Sequence, residues 1–289
     1  IWYWNTHKKA IIKNKLETVV REKSDSLYGV KYDSLEMDEI GGSLSVYNMT
    51  VSYDSARYAV LNKTGKTPAI LLDIYVPEIN VSGVKTARAL IQHEIVGRKL
   101  EIKKPVINIY YTNSGNKDSV SLTQKELYDQ LLGKLDLIQA DTILVIDAEI
   151  NSINHRTKQK NMQLQGVSAT LVNVRIDSSS YADTSRLFFA AESSFSCRKI
   201  NWSSANKLYT YAAENIAANS VSRHLSIKSF RIIPTLNEDA FVKAVPVQTD
   251  RFELSLKNIE LQNVDLAGIL KENIITDKIL LPSPTENIP

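Results

Sequence analysis

The feature that most constrains the fold of this chain is an internal similarity between two stretches about 180 residues apart. The apolar residues of 44–109 recur with nearly the same spacing in 225–288. Both stretches alternate apolar and polar residues, and both shift that alternation by one residue, near Pro77 and near Asn258. Chance alternation would not preserve such a shift, so the pattern predicts two copies of one strand, strand, helix, strand unit. A loose alignment of two unrelated β-rich segments is the alternative.

The rest of the chain reads as strands with a few short helices. The helical spacing of apolar residues predicts an amphipathic helix over about residues 6–23 and a shorter helix over 84–97. A capping box of Thr123 and Glu126, with Gly133 at the other end, predicts a second short helix over about 124–132. The one-residue shift near Pro77 predicts a β-bulge or bend. Beyond the second short helix, alternation predicts the strands 142–150, 162–176, 187–197, 207–218, 224–233 and 250–262. The fold class is therefore mainly β with short helices.

Composition and motifs argue against several classes of function. The net charge is +3, from 35 basic and 32 acidic residues, which is too small and scattered an excess to predict nucleic-acid binding. Cys197 is the only cysteine, so an intrachain disulfide and a Cys-x-x-Cys motif are both excluded. The four histidines lie far apart in the sequence, and no Gly-x-Ser-x-Gly motif occurs. We therefore expect no catalytic site, no metal site and no cofactor, and an enzyme ranks third among the possible functions.

The first residues are aromatic and are followed by a polar, basic segment. Trp2, Tyr3 and Trp4 precede the segment 5–9, which ends in two lysines. Aromatic residues beside a basic flank are typical of the membrane–water interface. We therefore expect these three residues to lie at a membrane interface, after a transmembrane helix that is missing from this chain. An aromatic N-terminus that packs on the fold is the alternative.

These segments together resemble the AsmA-like family of bacterial envelope proteins, which are related in plan to the repeating β-groove lipid-transfer proteins. The resemblance rests on the helix with basic flanks, on the strand 41–51, and on the two strand–helix–strand units, 79–84 with Leu90 and 259–264 with Leu270. It covers most of the chain, but its motifs are patterns without invariant chemistry. The family has no catalytic residues to transfer.

The resemblance implies an elongated, strongly bent antiparallel β-sheet whose apolar trough holds phospholipid acyl chains. It implies an anchor in the inner membrane of a Gram-negative bacterium, a location in the periplasm, and other envelope proteins as partners. The implied role is to bind or conduct phospholipid between the inner and outer membranes, or to support outer-membrane assembly. The implied divisions are a membrane-proximal helix (1–27), a first β-groove unit (28–120), a connecting region (121–223) and the start of a second unit (224–289).

The alternating strands supply the candidate lipid-binding residues. Those expected to share the groove are Val46, Val51, Ile74, Val76, Ile79 and Val81 in the first unit, and Ile227, Ile232, Leu254, Leu256, Ile259 and Leu261 in the second. The same pattern would also serve a filled core in a structural or adhesive β-repeat protein. The sequence does not separate a trough from a closed core, because both need alternating apolar strands.

Overall fold

The structure is a computed structural model, and it describes residues 17–18, 20–22, 24–38, 40–84, 94–112, 137–177, 180, 183, 186–245, 250–269, 273–281 and 285–287. The predicted helix 124–132 and the residues Trp2, Tyr3 and Trp4 lie outside these ranges. So do most of the predicted N-terminal helix and residues 85–93 of the helix predicted over 84–97. Residues 17–18 and 20–22, near the end of the predicted N-terminal helix, are helical.

The described residues are mainly β, and their fourteen strands belong to one sheet. The strands are β1 (Tyr28–Lys31), β2 (Ser34–Asp38), β3 (Ser43–Tyr53), β4 (Ile70–Ser82), β5 (Glu94–Lys103), β6 (Val106–Tyr111), β7 (Leu137–Asn154), β8 (Lys160–Asp177), β9 (Ala190–Ser203), β10 (Tyr209–Asn219), β11 (His224–Pro234), β12 (Glu253–Gln262), β13 (Lys278–Leu280) and β14 (Thr285–Asn287). The sheet continues without interruption across the predicted divisions at residues 120 and 223.

Three short helices connect or follow strands in the described part of the chain. Helix α1 (Ser55–Lys63) joins β3 to β4, α2 (Glu238–Ala244) joins β11 to β12, and α3 (Leu266–Ile269) follows β12. The side chains of Asp54 and Asn237 cap α1 and α2 by accepting hydrogen bonds from main-chain N–H groups of the first turn.

The sheet is mixed, so the prediction of a purely antiparallel sheet is wrong. β5 and β6 both pair with β7 in parallel, whereas the other neighbouring strands are antiparallel. Alternation reports which residues share a face, but it carries no information about strand direction. The predicted helix over 84–97 is also wrong at its end, because β5 begins at Glu94. Parallel pairing with β7 supplies the hydrogen bonds that keep this segment extended.

The hairpins β3–β4 and β11–β12 have corresponding registers. Val46 pairs with Ile79 and Val51 with Ile74 in the first hairpin. Ile227 pairs with Ile259 and Ile232 with Leu254 in the second, at the positions that the sequence alignment matches to them. The turn that follows also corresponds, because Val84 N–H donates to Gly42 O and Val264 N–H donates to Arg223 O.

A line of residues with positive φ crosses the sheet, and we call it the crease. Its members are Asn48, Lys104, Asp147, Gly166, Asn215 and Asn258, with φ between 49° and 64°. The register aligns them across neighbouring strands. Gly166 and Asn215, for example, both lie opposite position 198 of β9, which separates their strands. Asn48 lies opposite Pro77 of β4, and Asn215 also lies opposite position 228 of β11. Single left-handed residues of this kind are favoured at Asn, Asp and Gly.

The crease explains the shift in the alternation of apolar residues. The register of β3 with β4 and of β11 with β12 is unchanged across it, so, of the β-bulge or bend predicted from the shift near Pro77, the bulge is absent. Asn48 and Asn258 adopt φ of 52° instead, and the alternation changes phase there in both strands of each pair. A second line of positive-φ residues lies about six residues further along the strands and includes Gly42, Gly83, Asn173 and Asn263.

Candidate functional site: an apolar face

One face of the sheet is apolar in every described strand from β3 to β12, and we call it the apolar face. Residues directly opposite each other on paired strands lie on the same face of a sheet. The first apolar row therefore comprises Val46, Ile79, Ile102, Val145, Ala169, Phe195, Ala218, Leu225 and Leu261. The second apolar row, beyond the crease, comprises Val51, Ile74, Ile107, Ile150, Leu164, Ile200, Ala213, Phe230 and Leu256.

In β11 and β12, side-chain contacts join the two rows into one surface across the crease. Phe230 and Leu256 of the second row pack on the same buried cluster as Leu225 and Leu261 of the first. Without the phase change, the apolar residues on one side of the crease would turn to the opposite face. The crease therefore keeps the apolar side chains of both rows together.

The twelve residues predicted to share a groove all fall in strands β3, β4, β11 and β12, and they differ in burial. Val46, Val76, Ile259 and Leu261 are buried, with between 3% and 8% of their surface exposed. The other eight are half-buried: Val51, Ile74, Ile79, Val81, Ile227, Ile232, Leu254 and Leu256. The register brings them together in opposed pairs or opposite other apolar residues of the same face.

An aromatic group lies on the apolar face over β9, β10 and β11. Trp202 stacks on Tyr211 with ring centroids 5.2 Å apart, and Phe230 lies 6.1 Å from Trp202. All three side chains are half-buried. Rings so placed present a broad apolar surface next to Leu256, the register partner of Phe230.

Short helices border this surface at two places. Phe241 of α2 is 1% exposed and contacts Tyr209 with ring centroids 5.7 Å apart. Leu266 and Ile269 of α3 pack on the buried cluster of Ile259, Leu261 and Val264. The side chains of both helices therefore cover ends of the apolar strands.

The opposite face carries cross-strand ion pairs, and we call it the polar face. Lys103 Nζ lies 2.8 Å from Glu78 Oε1, and Arg231 Nη2 lies 3.0 Å from Glu214 Oε1. The hydrogen bond from Lys103, with a further one from Asn80, lowers the pKa of Glu78. Side chains that hold each other in this way are typical of a sheet face in contact with water.

An open concavity of about 520 Å³ also lies against β7–β11, and residues of both faces line it. Its walls are two rows of mostly small, uncharged side chains: Leu144, Thr170, Ser194, Asn219 and His224, and Ile146, Ser168, Ser196 and Ala217. The first apolar row also contributes Val145, Ala169, Phe195 and Ala218 to its lining.

Sequence reasoning missed the central strands as part of the apolar face. Ile143 and Val145 in β7, and Ile200 and Trp202 in β9, extend the face between the two hairpins. The sequence does carry a sign of this, because the alternation of apolar residues shifts by one residue between Val145 and Ile150, as it does at Asn48. These strands lack a matching copy along the chain, so alternation alone did not assign their faces.

The described residues show no side-chain group suited to metal binding and no helix suited to membrane crossing. No group of three or more His, Cys, Asp or Glu side chains within them is placed to hold a metal ion. None of the helices that can be described combines the length and hydropathy needed to span a bilayer. Cys197 is buried, and burial raises the pKa of its thiol.

The sequence was also compared with known proteins. Neither the family models nor the curated proteins include a match to this chain.

Proposed function

We propose that the apolar face binds the acyl chains of phospholipid and that the protein carries or conducts lipid along this surface. The observation that supports the proposal is the continuity of apolar side chains over ten neighbouring strands, with the ion pairs Lys103–Glu78 and Arg231–Glu214 on the other face. The two matching hairpins support a further part of the proposal, namely that an internal repeat of about 180 residues builds a groove.

Contacts with acyl chains alone can hold a phospholipid on this face, without a separate site for its polar headgroup. Each acyl methylene moved from water onto apolar side chains gains about 0.8 kcal/mol. The half-buried part of the face, with Ile227, Ile232, Leu254 and Leu256 beside the aromatic group, has unburied apolar area for such contacts. An acyl chain needs no hydrogen-bond partner, so a face made mainly of apolar side chains suits it.

The cellular setting belongs to the same proposal. An AsmA-like protein would be anchored in the inner membrane by a span before Trp2, Tyr3 and Trp4 and would extend into the periplasm. There it would pass phospholipid between membranes or support outer-membrane assembly with other envelope proteins. The resemblance described above supports this setting.

A second candidate is a structural or adhesive repeat protein with a filled core. The burial of Val46, Val76, Ile259 and Leu261 favours it, because these positions are already covered. A filled core must also cover the half-buried residues of β11 and β12. The described strands form one sheet, so a second sheet over that surface is absent from this part of the protein.

The test compares a charge on the apolar face with the same charge on the polar face. Leu256→Asp places a carboxylate on the apolar face, opposite Phe230. Ser255→Asp places one on the polar face, opposite Arg231, only one residue away. The protein is purified from membranes or incubated with phospholipid vesicles, and bound lipid is measured by mass spectrometry. We expect Leu256→Asp to lose lipid and Ser255→Asp to keep it.

Melting temperature separates loss of binding from loss of fold. Val76→Asp serves as the unfolding reference, since Val76 is 3% exposed and a buried unpaired carboxylate costs several kcal/mol. If the wild type carries no lipid and Leu256→Asp unfolds as Val76→Asp does, the closed core is the better account.

A further inference from the structure

Basic side chains gather at one end of the strands, between α1 and the turn that joins β9 to β10. The register sets Ile70, Tyr111 and Asn154 side by side on β4, β6 and β7. The segment 54–69 before Ile70 and the β7–β8 turn after Asn154 therefore lie at the same end of the sheet. The β9–β10 turn lies there too, because β9 ends where β8 begins. We call the five exposed basic residues of these three connections the basic rim: Lys63, Lys66, Arg156, Lys158 and Lys207.

Contacts between the three connections make the basic rim one surface. The ring of Tyr58 in α1 lies 4.9 Å from the ring of His155 in the β7–β8 turn. Lys207, in the β9–β10 turn, donates a hydrogen bond to Gln159 of the β7–β8 turn. The β7–β8 turn is therefore held between its two neighbours.

Hydrogen bonds within the β7–β8 turn fix the backbone that carries two of the basic residues. Asn154 Oδ1 accepts from the main-chain N–H groups of Arg156 and Thr157 at 3.0 and 2.9 Å. Asn154 O accepts from Lys158 N–H at 2.8 Å, and Lys158 Nζ lies 5.3 Å from the centroid of the Tyr110 ring. The turn is thus ordered before it meets a ligand, which lowers the entropic cost of binding.

Few carboxylates accompany these basic residues. The segments 54–69, 154–160 and 203–209 contain one acidic residue, Asp54, and its side chain caps α1. Arg57, also in α1, is paired with Asp25. Within the part of the chain that the structure describes, no ion pair involves a residue of the basic rim. The positive charge of this surface is therefore left for a ligand.

The turns at the other end of the strands have the opposite charge. Their described aspartates outnumber the basic residues Arg186, Arg223 and Lys278. These aspartates are Asp38, Asp177, Asp183, Asp265 and Asp277. An anionic surface would therefore attract one end of the strands and repel the other.

An exposed apolar side chain lies beside the basic residues on α1. Val60 is 48% exposed and lies three residues before Lys63, on the same face of the helix. Basic and apolar side chains together on an exposed surface are typical of contact with lipid headgroups. A nucleic acid would use the charges but would leave Val60 in water, so a lipid surface is the better match.

We infer that the basic rim binds the surface of an anionic phospholipid membrane. Its guanidinium and ammonium groups contact headgroup phosphates, and Val60 reaches the level of the outermost acyl carbons. The strands then meet the membrane with their basic end, and the acidic turns point away from it. This contact is made at the ends of the strands by described residues. It depends neither on acyl chains bound to the apolar face nor on an anchor before Trp2.

The first experiment measures flotation of the 289-residue chain with vesicles. We expect binding to phosphatidylcholine vesicles that contain about 30% phosphatidylglycerol to be at least about tenfold tighter than to phosphatidylcholine alone, and to be lost in about 0.5 M NaCl. Arg156→Glu with Lys158→Glu should weaken binding to the anionic vesicles at least about tenfold. The control, Lys228→Glu with Lys257→Glu, makes the same change of net charge on exposed strand residues and should weaken it less than about twofold.

A second experiment tests the orientation. In a Cys197→Ala chain, an environment-sensitive fluorophore on Thr157→Cys should brighten with the anionic vesicles. The same fluorophore on Val221→Cys should not, since Val221 is 67% exposed in the β10–β11 turn at the other end. Leu256→Asp, which tests acyl-chain binding, should leave both measurements unchanged, so the two proposals fail separately.

Four results would each overturn the inference. They are equal weakening by the two double variants, equal brightening at positions 157 and 221, and displacement of the vesicles by glycerol phosphate, which would assign the site to a free phosphate. The fourth is absence of vesicle binding by a chain that binds duplex DNA through Arg156 and Lys158, which would assign the basic rim to nucleic acid.

Discussion

Phe230 and Leu256 are register partners immediately beside the crease, and both contact the buried cluster of Ile259 and Leu261 on its other side. The left-handed Asn258 lies between Leu256 and Ile259 in the same strand. A regular strand would direct Leu256 and Ile259 to opposite faces, since successive side chains alternate. The positive φ of Asn258 therefore keeps the apolar face continuous across the crease in β12.

The first prediction tests the conformational requirement at Asn258. Asn258→Val should lower the free energy of unfolding by roughly 1–2 kcal/mol, because a β-branched side chain is disfavoured at φ of 52°. Asn258→Gly should be close to neutral, since glycine adopts this conformation readily. Lys257→Val is the matched control, as Lys257 is an exposed strand residue next to it. Urea denaturation measures all three, and equal losses for the two valine variants would contradict the prediction.

Strand positions followed from the sequence, but strand partners did not. Alternation predicted β8 and β11 within a few residues, because each has one apolar face along its whole length. The parallel pairing of β5 and β6 with β7 depends on contacts between segments far apart in the sequence. Alternation within one strand does not record such contacts.

The missed helix α1 shows a second limit. Its residues have no apolar stripe, and none of its side chains is buried, so the periodicity that identifies most surface helices is weak. The available signal was the cap, in which Asp54 Oδ1 accepts from Arg57 N–H at 2.8 Å.

The shift in apolar alternation at Asn48 was visible in the sequence as well, but a bulge and a left-handed residue produce the same sequence pattern.

The second prediction concerns Gly166, where the crease crosses β8. A Cβ at this position would lie 2.9 Å from the Cβ of Arg198 and 2.8 Å from its Nη2, and φ is +64°. Gly166→Ala should therefore cost more than about 1 kcal/mol of unfolding free energy. In an Arg198→Ala background the cost should be smaller, because the guanidinium no longer occupies that space. A double-mutant cycle measures the difference, and strictly additive losses would count against the proposed contact.

The third prediction concerns the pH dependence of stability at the aromatic cluster around His155. Tyr58 lies 4.9 Å from its ring, Tyr53 and Tyr110 lie 6.1 Å from it, and Lys158 sits over Tyr110. Burial, with a smaller effect of Lys158, lowers the pKa of His155. The unfolded chain therefore binds the proton more tightly. The stability contributed by neutral His155 is full above the unfolded pKa of about 6.5 and is lost as the pH falls toward the folded pKa.

His155→Phe keeps an aromatic ring and removes this titration. The free energy of unfolding of the variant should decline less than that of the wild type as the pH falls from about 7.5 to 5. His224→Phe, at the start of β11, serves as the control for an unrelated histidine. Parallel pH profiles for the wild type and His155→Phe would show that His155 does not contribute.

The most direct test of lipid binding on the apolar face is contact quenching of Trp202. In a chain with Trp2→Phe and Trp4→Phe, Trp202 is the only tryptophan, and it lies half-buried on that face. Phospholipid with brominated acyl chains should quench its fluorescence. A tryptophan moved one residue to the polar face, by Trp202→Phe with Asn201→Trp, should not be quenched. Strong quenching at position 202 alone is the predicted result. Equal quenching at both positions, or none at either, would contradict the account.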